Sequence, residues 1–170
     1  MNMEIKLSQQ HISLPNVSIY TDGSCIGNGT DKSYGGYCAI IKYKNNRFTK
    51  TIKGGEINTT NSRMELRAII EGLKNINKKR KYYVVIKSDS EFIVNAINIW
   101  LDNWVDNNWK KSDKKDVANK DLWKSFIEAK RDNVIKAIHI KAHSGFYWNE
   151  ECDKIAKEEA NSLKIGLPND

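Results

Sequence analysis

The chain has 170 residues, 39% of them hydrophobic, which suits one domain with a proper core and excludes a chain disordered by composition. No apolar run approaches the ~20 residues that span a bilayer, and "MNMEIKLSQQ" lacks the basic-then-apolar plan of a signal peptide, so the expectation is a cytoplasmic protein with no membrane association. A formal net charge of +7 fits a polyanionic partner, although a Lys/Asn-rich composition gives the same sign, and three dispersed cysteines without a C-x-x-C argue against a disulfide framework or a cysteine zinc site.

In chain order, residues 1–16 show no period and are read as a tail that includes His11. Residues 17–21 alternate and predict a strand, "YGGYCAIIKY" (34–43) a second and "RFTKTIKGG" (47–55) a third, with Asn45-Asn46 suited to a tight turn between the last two. Within "NSRMELRAIIEGL", Leu66, Ile69, Ile70 and Leu73 fall on one helical stripe. The apolar run "YYVVI" (82–86) suits a strand covered on both faces. Ile93, Ile97, Trp100 and Trp104 share a second helical face. A lysine-rich connection follows, then a helix over 120–130 bearing Trp123, Phe126 and Ile127, a strand over 135–140 that contains His139, and a last helix marked by Cys152, Ile155, Ala156, Ala160 and Leu163. The order β-β-β-α-β-α-α-β-α predicts an α/β fold, a mixed sheet with helices packed on it.

Asp22 follows the first strand at once, and "GSCIGNG" follows the acid. A turn explains the glycines but does not need a carboxylate. Asp89 follows the strand "YYVVIKS" in the same way. If the two strands are parallel neighbours, both acids emerge at one edge, where such sheets bind ligands, and a hard divalent cation would relieve their repulsion. Each acid has a second reading. Asp22 suits a turn, Asp89 with Ser90 a helix cap, and Ser62-x-x-Glu65 a capping box, while Asp153 at the opening of the last helix is favoured by the helix dipole.

Taken together, "IYTDGSCIGN", "TTNSRMEL", "IKSDS" and "KAHSGFYWNEECDKIA" resemble the signature blocks of ribonuclease H type 1, in the family's order. The tryptophan- and lysine-rich segment between the last two resembles the substrate-handling protrusion of the bacterial enzymes. The resemblance implies the ribonuclease H fold, a five-stranded mixed sheet flanked by helices, with the catalytic domain over 17–165 and tails at 1–16 and 166–170. It implies a monomeric endonuclease that cuts the RNA strand of RNA·DNA hybrids and leaves 5′-phosphate and 3′-hydroxyl ends. Asp22, Glu65, Asp89 and Asp153 would hold two Mg²⁺ ions, with Mn²⁺ as a substitute, and His143 would assist proton transfer or product departure.

By the same resemblance, Cys25, Asn28, Asn61 and Ser62 face the minor groove, where 2′-hydroxyls mark RNA, and Thr60 with Asn119 forms a pocket for a DNA phosphate. Trp104 leads into the basic rim "KKSDKKDVANK", which carries Lys110, Lys114 and Lys115 and whose lysines could equally be a solvated face. The chain departs from the bacterial pattern in three places: "VDNN" (105–108) is less basic, Glu91 stands where glutamine is common, and the "GTDKSY" loop (29–34) is long. A nuclease-dead hybrid-binding module would not need all four acids. A junction resolvase or integrase-like enzyme would not match so densely around "SRMEL" and the histidine loop.

Overall fold

Strand β1 (Asn16–Ile26) carries apolar residues at Val17 and Ile19 that are buried in the main core. It sits at the centre of a five-stranded sheet in the computed structural model, which describes residues 14–166. The sheet order is β3-β2-β1-β4-β5. β2 (Tyr34–Tyr43) and β3 (Thr49–Ile57) extend it on one side as an antiparallel meander, and β4 (Tyr83–Ser88) and β5 (Val134–His139) on the other as parallel strands. The mixed sheet and its helices are those expected. Most of the N-terminal tail, His11 included, and residues 167–170 lie outside the described residues.

β1 outruns its parallel neighbour. Pairing with β4 ends at Tyr20 with Lys87, whereas pairing with β2 continues to Ile26 with Tyr34. Asp22 is therefore inside a strand, not at its tip. The small residues after it extend an antiparallel ribbon, Ser24 opposite Gly36 and Cys25 opposite Gly35.

Helices cover both faces. α1 (Asn61–Lys74) lays Leu66, Ile69, Ile70 and Leu73 on β1 and β2, and α4 (Lys120–Lys130) packs Leu122, Trp123 and Phe126 into the same core. Ile127, grouped with them by sequence, is instead exposed. On the opposite face α5 (Tyr147–Gly166) sets Cys152 and Ala156 against Cys38 and Ile40. Gly36 permits that contact: a Cβ there would overlap the Ala156 carbonyl oxygen and lie 2.6 Å from Ala160 N.

The helix expected over Ile93–Trp104 is broken into three pieces. α2 (Glu91–Asn95) passes into a π-helical turn (Ala96–Trp100) and then α3 (Leu101–Asp106). The π turn aims Asn98 at the edge of β5, where its amide both donates to Ala137 O (2.9 Å) and accepts from Ala137 N (3.0 Å). A side chain thus satisfies backbone groups that an edge strand would otherwise expose.

Candidate active site

The parallel pairing of β1 with β4 sends Asp22 and Asp89 to the same end of the sheet. Glu65 reaches them from α1, because the first turn of that helix presses on β1. A Cβ on Gly23 would overlap Glu65 N and lie 2.6 Å from Met64 C, so only glycine admits the approach. The carboxylate oxygens of Asp22, Glu65 and Asp89 lie within 4.8 Å of one another. Asp153, from α5, lines the same crevice as Asp22 and Asp89.

The local alternatives for these acids are resolved by the caps. Thr60, not Ser62, caps α1, its hydroxyl accepting from Arg63 N at 3.2 Å. Glu65 therefore plays no part in a Ser62 capping box and accepts from Asn61 Nδ2 at 3.2 Å. Ser90 caps α2, which leaves the Asp89 carboxylate facing the other acids. α5 starts at Tyr147, so Asp153 lies beyond its first turn and the helix dipole does not account for it; its Oδ2 pairs with Lys157 at 2.7 Å.

Burial and mutual repulsion govern the protonation of the cluster. Burial, then repulsion from Asp89, pushes Asp22 up to about 8 from an ordinary 3.8, against the pull of the Gly23 N–H that Asp22 accepts at 2.8 Å. Burial, then repulsion from Asp89, pushes Glu65 up to about 7. Burial also raises Asp89, with Asp153 adding to the shift and His139 and His143 opposing it. Carboxylates that hold protons at neutral pH for want of a counter-charge fit a hard divalent cation.

His143 lies in the exposed loop before α5, at φ 53°, and lines the crevice with Ala142, Asn149 and Glu150. His139 is not the packing residue its strand position suggests. It is exposed, and its Nε2 lies 3.1 Å from Asp89 O, which ties the end of β5 to the loop that carries Asp89. Asn149 was missed by sequence reasoning. Its side chain is buried and its Oδ1 has no hydrogen-bond partner among the described residues, a property that no sequence signal reveals.

The other predicted contacts fall into three groups. Cys25 (Sγ 3.5 Å from Thr59 O), Asn28 and Asn61 meet on one rim, where Asn28 Oδ1 accepts from Asn61 N at 3.0 Å, and Ser62 follows in α1. Buried Ser33 closes the long loop onto that rim, donating to Thr59 O at 2.7 Å and accepting from Thr59 N at 2.8 Å. Thr60 and Asn119 are joined through Arg63, whose backbone N–H bonds Thr60 and whose Nη1 bonds Asn119 Oδ1 at 3.3 Å. Arg63, itself held by Asp121 at 2.7 Å, was not anticipated. Trp104 is half-buried against Trp123 (ring centroids 5.5 Å apart) and lines a cavity of about 690 Å³ with Trp100, Lys110 and Lys111. Lys110 is paired with Asp116 at 2.7 Å, whereas Lys114 and Lys115 have no carboxylate partner among the described residues.

Comparison with known proteins agrees with this geometry. The RNase H family profile matches residues 15–161. A ribonuclease H of Syntrophomonas wolfei is 46% identical over 148 residues, 86% of this chain and 97% of its own. A ribonuclease HI of Helicobacter pylori is 46% identical over 144 residues, 85% of this chain and 92% of its own. Among solved structures, LC9-RNase H1, a type 1 RNase H with the type 2 active-site motif, superposes with a TM-score of 0.77 at 28% identity, over 88% of this chain and 74% of that one. LC11-RNase H1, solved in complex with an RNA/DNA hybrid, shares the fold with a TM-score of 0.65 at 21% identity, over 87% and 99% of the two chains. With the acids converging on the sheet edge and both the profile and the relatives spanning the folded chain, the protein belongs to the RNase H family, type 1.

Proposed function

We propose that this chain is an endonuclease that hydrolyses the RNA strand of RNA·DNA hybrids, leaving 5′-phosphate and 3′-hydroxyl ends. The observation that carries the reading is the convergence of Asp22, Glu65 and Asp89 within 4.8 Å beyond the paired ends of β1 and β4. The family is metal-dependent, and the donor set fits two Mg²⁺ ions, with Mn²⁺ as a substitute. Asp22 would be shared between them, with Asp153 on the side of the attacking water and Glu65 and Asp89 on the side of the leaving oxygen. When bound, the ions supply the positive charge that activates the water and stabilises the leaving oxygen.

The chain's own groups do the rest. His143, on its exposed loop, moves a proton at the edge of the crevice or helps the product depart. Cys25, Asn28, Asn61 and Ser62 read 2′-hydroxyls from one rim, which separates RNA from DNA. Thr60 and Asn119, with Arg63 between them, hold a phosphate of the DNA strand. Trp104, Lys110, Lys114 and Lys115 grip the backbone farther along. Residues 17–165 form the catalytic domain, with tails on either side, and the enzyme acts as a monomer in the cytoplasm. No helix among the described residues is long and apolar enough to cross a membrane. The test is a panel of hybrid, duplex DNA and duplex RNA incubated with Mg²⁺ or with EDTA. Cleavage of the RNA strand of the hybrid alone, abolished by EDTA, is expected, and cleavage of duplex DNA or persistence in EDTA would overturn the reading.

A further inference from the structure

We propose that the open half of the sheet, on the face turned away from the main core, binds a single-stranded nucleic-acid segment that continues from the substrate. The inference rests on the ribonuclease H reading of the acidic site.

Strand alternation defines the face. Val17, Ile19, Ile41, Val84, Ile86 and Ala137 are buried in the main core. The residues between them point the other way: Ser18 and Tyr20, Lys42, Val85 and Lys87, Lys136 and Ile138. On that side α5 packs across β1, β2 and β3, with Tyr20 beside its Trp148, and leaves open β4, β5 and the start of β1 with the end of β2, where Ser18 and Lys42 border a groove. The register places Lys42, Ser18, Val85 and Lys136 in one row across four strands. At ~4.8 Å per strand the row is about 14 Å wide. The next row is Tyr20, Lys87 and Ile138. Two residues farther along β1, on the same face, stands Asp22. The rows therefore lead to the catalytic acids in steps of about 7 Å.

The charge on this face is uncompensated. Lys42, Lys87 and Lys136, with Lys44 in the turn just after β2, have no carboxylate within 4.0 Å among the described residues, whereas Lys53, Lys74, Lys81 and Lys157 elsewhere are paired. Two of the ammonium groups are held over aromatic rings: Lys42 lies 5.3 Å from the Trp148 centroid, and Lys87 lies 4.8 Å from that of Tyr20 and 3.1 Å from its hydroxyl. Ser18, Tyr20, Lys42, Lys44 and Val85 border a groove of about 410 Å³. Unpaired lysines call for a polyanion. Continuity with the acids favours a nucleic-acid strand over an acidic peptide. A strip of about 14 Å suits one backbone and not two flanking a ~12 Å major groove.

The test compares the wild-type chain with the triple variant Lys42→Gln/Lys44→Gln/Lys136→Gln. Fluorescence anisotropy of a labelled 20-nucleotide single-stranded DNA is expected to show at least tenfold weaker binding. The slope of log K against log salt should fall by about 2, from three contacts at ~0.7 each. In cleavage, KM for a hybrid with a single-stranded overhang should rise about tenfold, while KM for the blunt hybrid stays unchanged. Unchanged oligonucleotide affinity and slope, or an equal change on both hybrids, overturns the proposal. A variant-sensitive affinity for an Asp/Glu-rich peptide in place of the oligonucleotide overturns it in favour of a protein partner. Failure of the wild type to cut any hybrid in Mg²⁺ would defeat the functional reading instead, and the anisotropy experiment would still decide this one.

Discussion

Asp22 shows how one residue couples chemistry to stability. The folded chain holds its proton up to about pH 8 and the unfolded chain only to about the ordinary 3.8. The folded state therefore binds more protons between those values, and without metal this group makes stability fall as pH rises through that window. Asp22→Asn removes the burden. We expect the variant to lose hybrid cleavage yet to melt about 2–4 °C above the wild type in EDTA at pH 9, the shift that ~1 kcal/mol gives in a domain of this size. A lower melting temperature, or near-wild-type cleavage in Mg²⁺, would refute the assignment. His143 offers the contrast. It is exposed and touches the cluster only from a loop, so His143→Ala should lower kcat by up to ~10²–10⁴-fold, the range of general acid–base help. KM should barely change, and Mg²⁺-dependent cleavage should persist. A variant as inactive as Asp22→Asn, or one fully active, would remove that role.

Elements carry their own constraints. The first turn of α1 is in van der Waals contact with β1 at Gly23, and the three atoms that a Cβ would strike are all helix backbone, which cannot rotate aside. Gly23→Ala should destabilise by ~1–3 kcal/mol through overpacking. It should also weaken Mg²⁺ binding, because Glu65 moves with the helix. Thermal melting and a Mg²⁺ titration measure the two effects, and no change in either would show that α1 yields freely. In the segment after α3, Lys110 and Lys111 are tied to Asp116 and Asp113, while Lys114 and Lys115 are not. Neutralising all four should raise KM for hybrids and flatten its salt dependence, with Lys114→Gln/Lys115→Gln accounting for most of the loss, since a lysine already paired releases fewer counterions. An unchanged slope would mean that these lysines only face solvent.

At the scale of the whole molecule, the acidic cluster is an electrostatic conflict that folding creates and that a bound cation would resolve. In the proposed metal site, binding would displace protons from Asp22 and Glu65, whose affinities are raised to about 8 and 7. Apparent Mg²⁺ affinity should therefore rise from pH 6 to pH 8, with proton release visible by calorimetry in buffers of different ionisation enthalpy. A flat profile would mean that the acids are already ionised in the free protein. The sequence by itself determined what is local or carried by motif. The strand alternations, the α1 stripe, the hairpin of β2 and β3 and the four signature blocks are all read within short windows. Even the π turn was invisible there, since the apolar spacing of Ile93, Ile97 and Trp100 suits an unbroken helix equally well. Asp22, Glu65, Asp89 and Asp153 were nameable from the sequence, yet each kept a local alternative, because a cap and a metal ligand demand the same residue types. Only the tertiary structure shows that Asp22, Glu65 and Asp89 converge and that Thr60 and Ser90 serve as the helix caps. The parallel pairing of β1 with β4 joins segments more than sixty residues apart, and the close contact at Gly23 swings Glu65 into line. Burial then raises the proton affinities of Asp22, Glu65 and Asp89 and leaves Asn149 Oδ1 without a partner among the described residues, and burial is a property of the packed chain that no window of sequence contains.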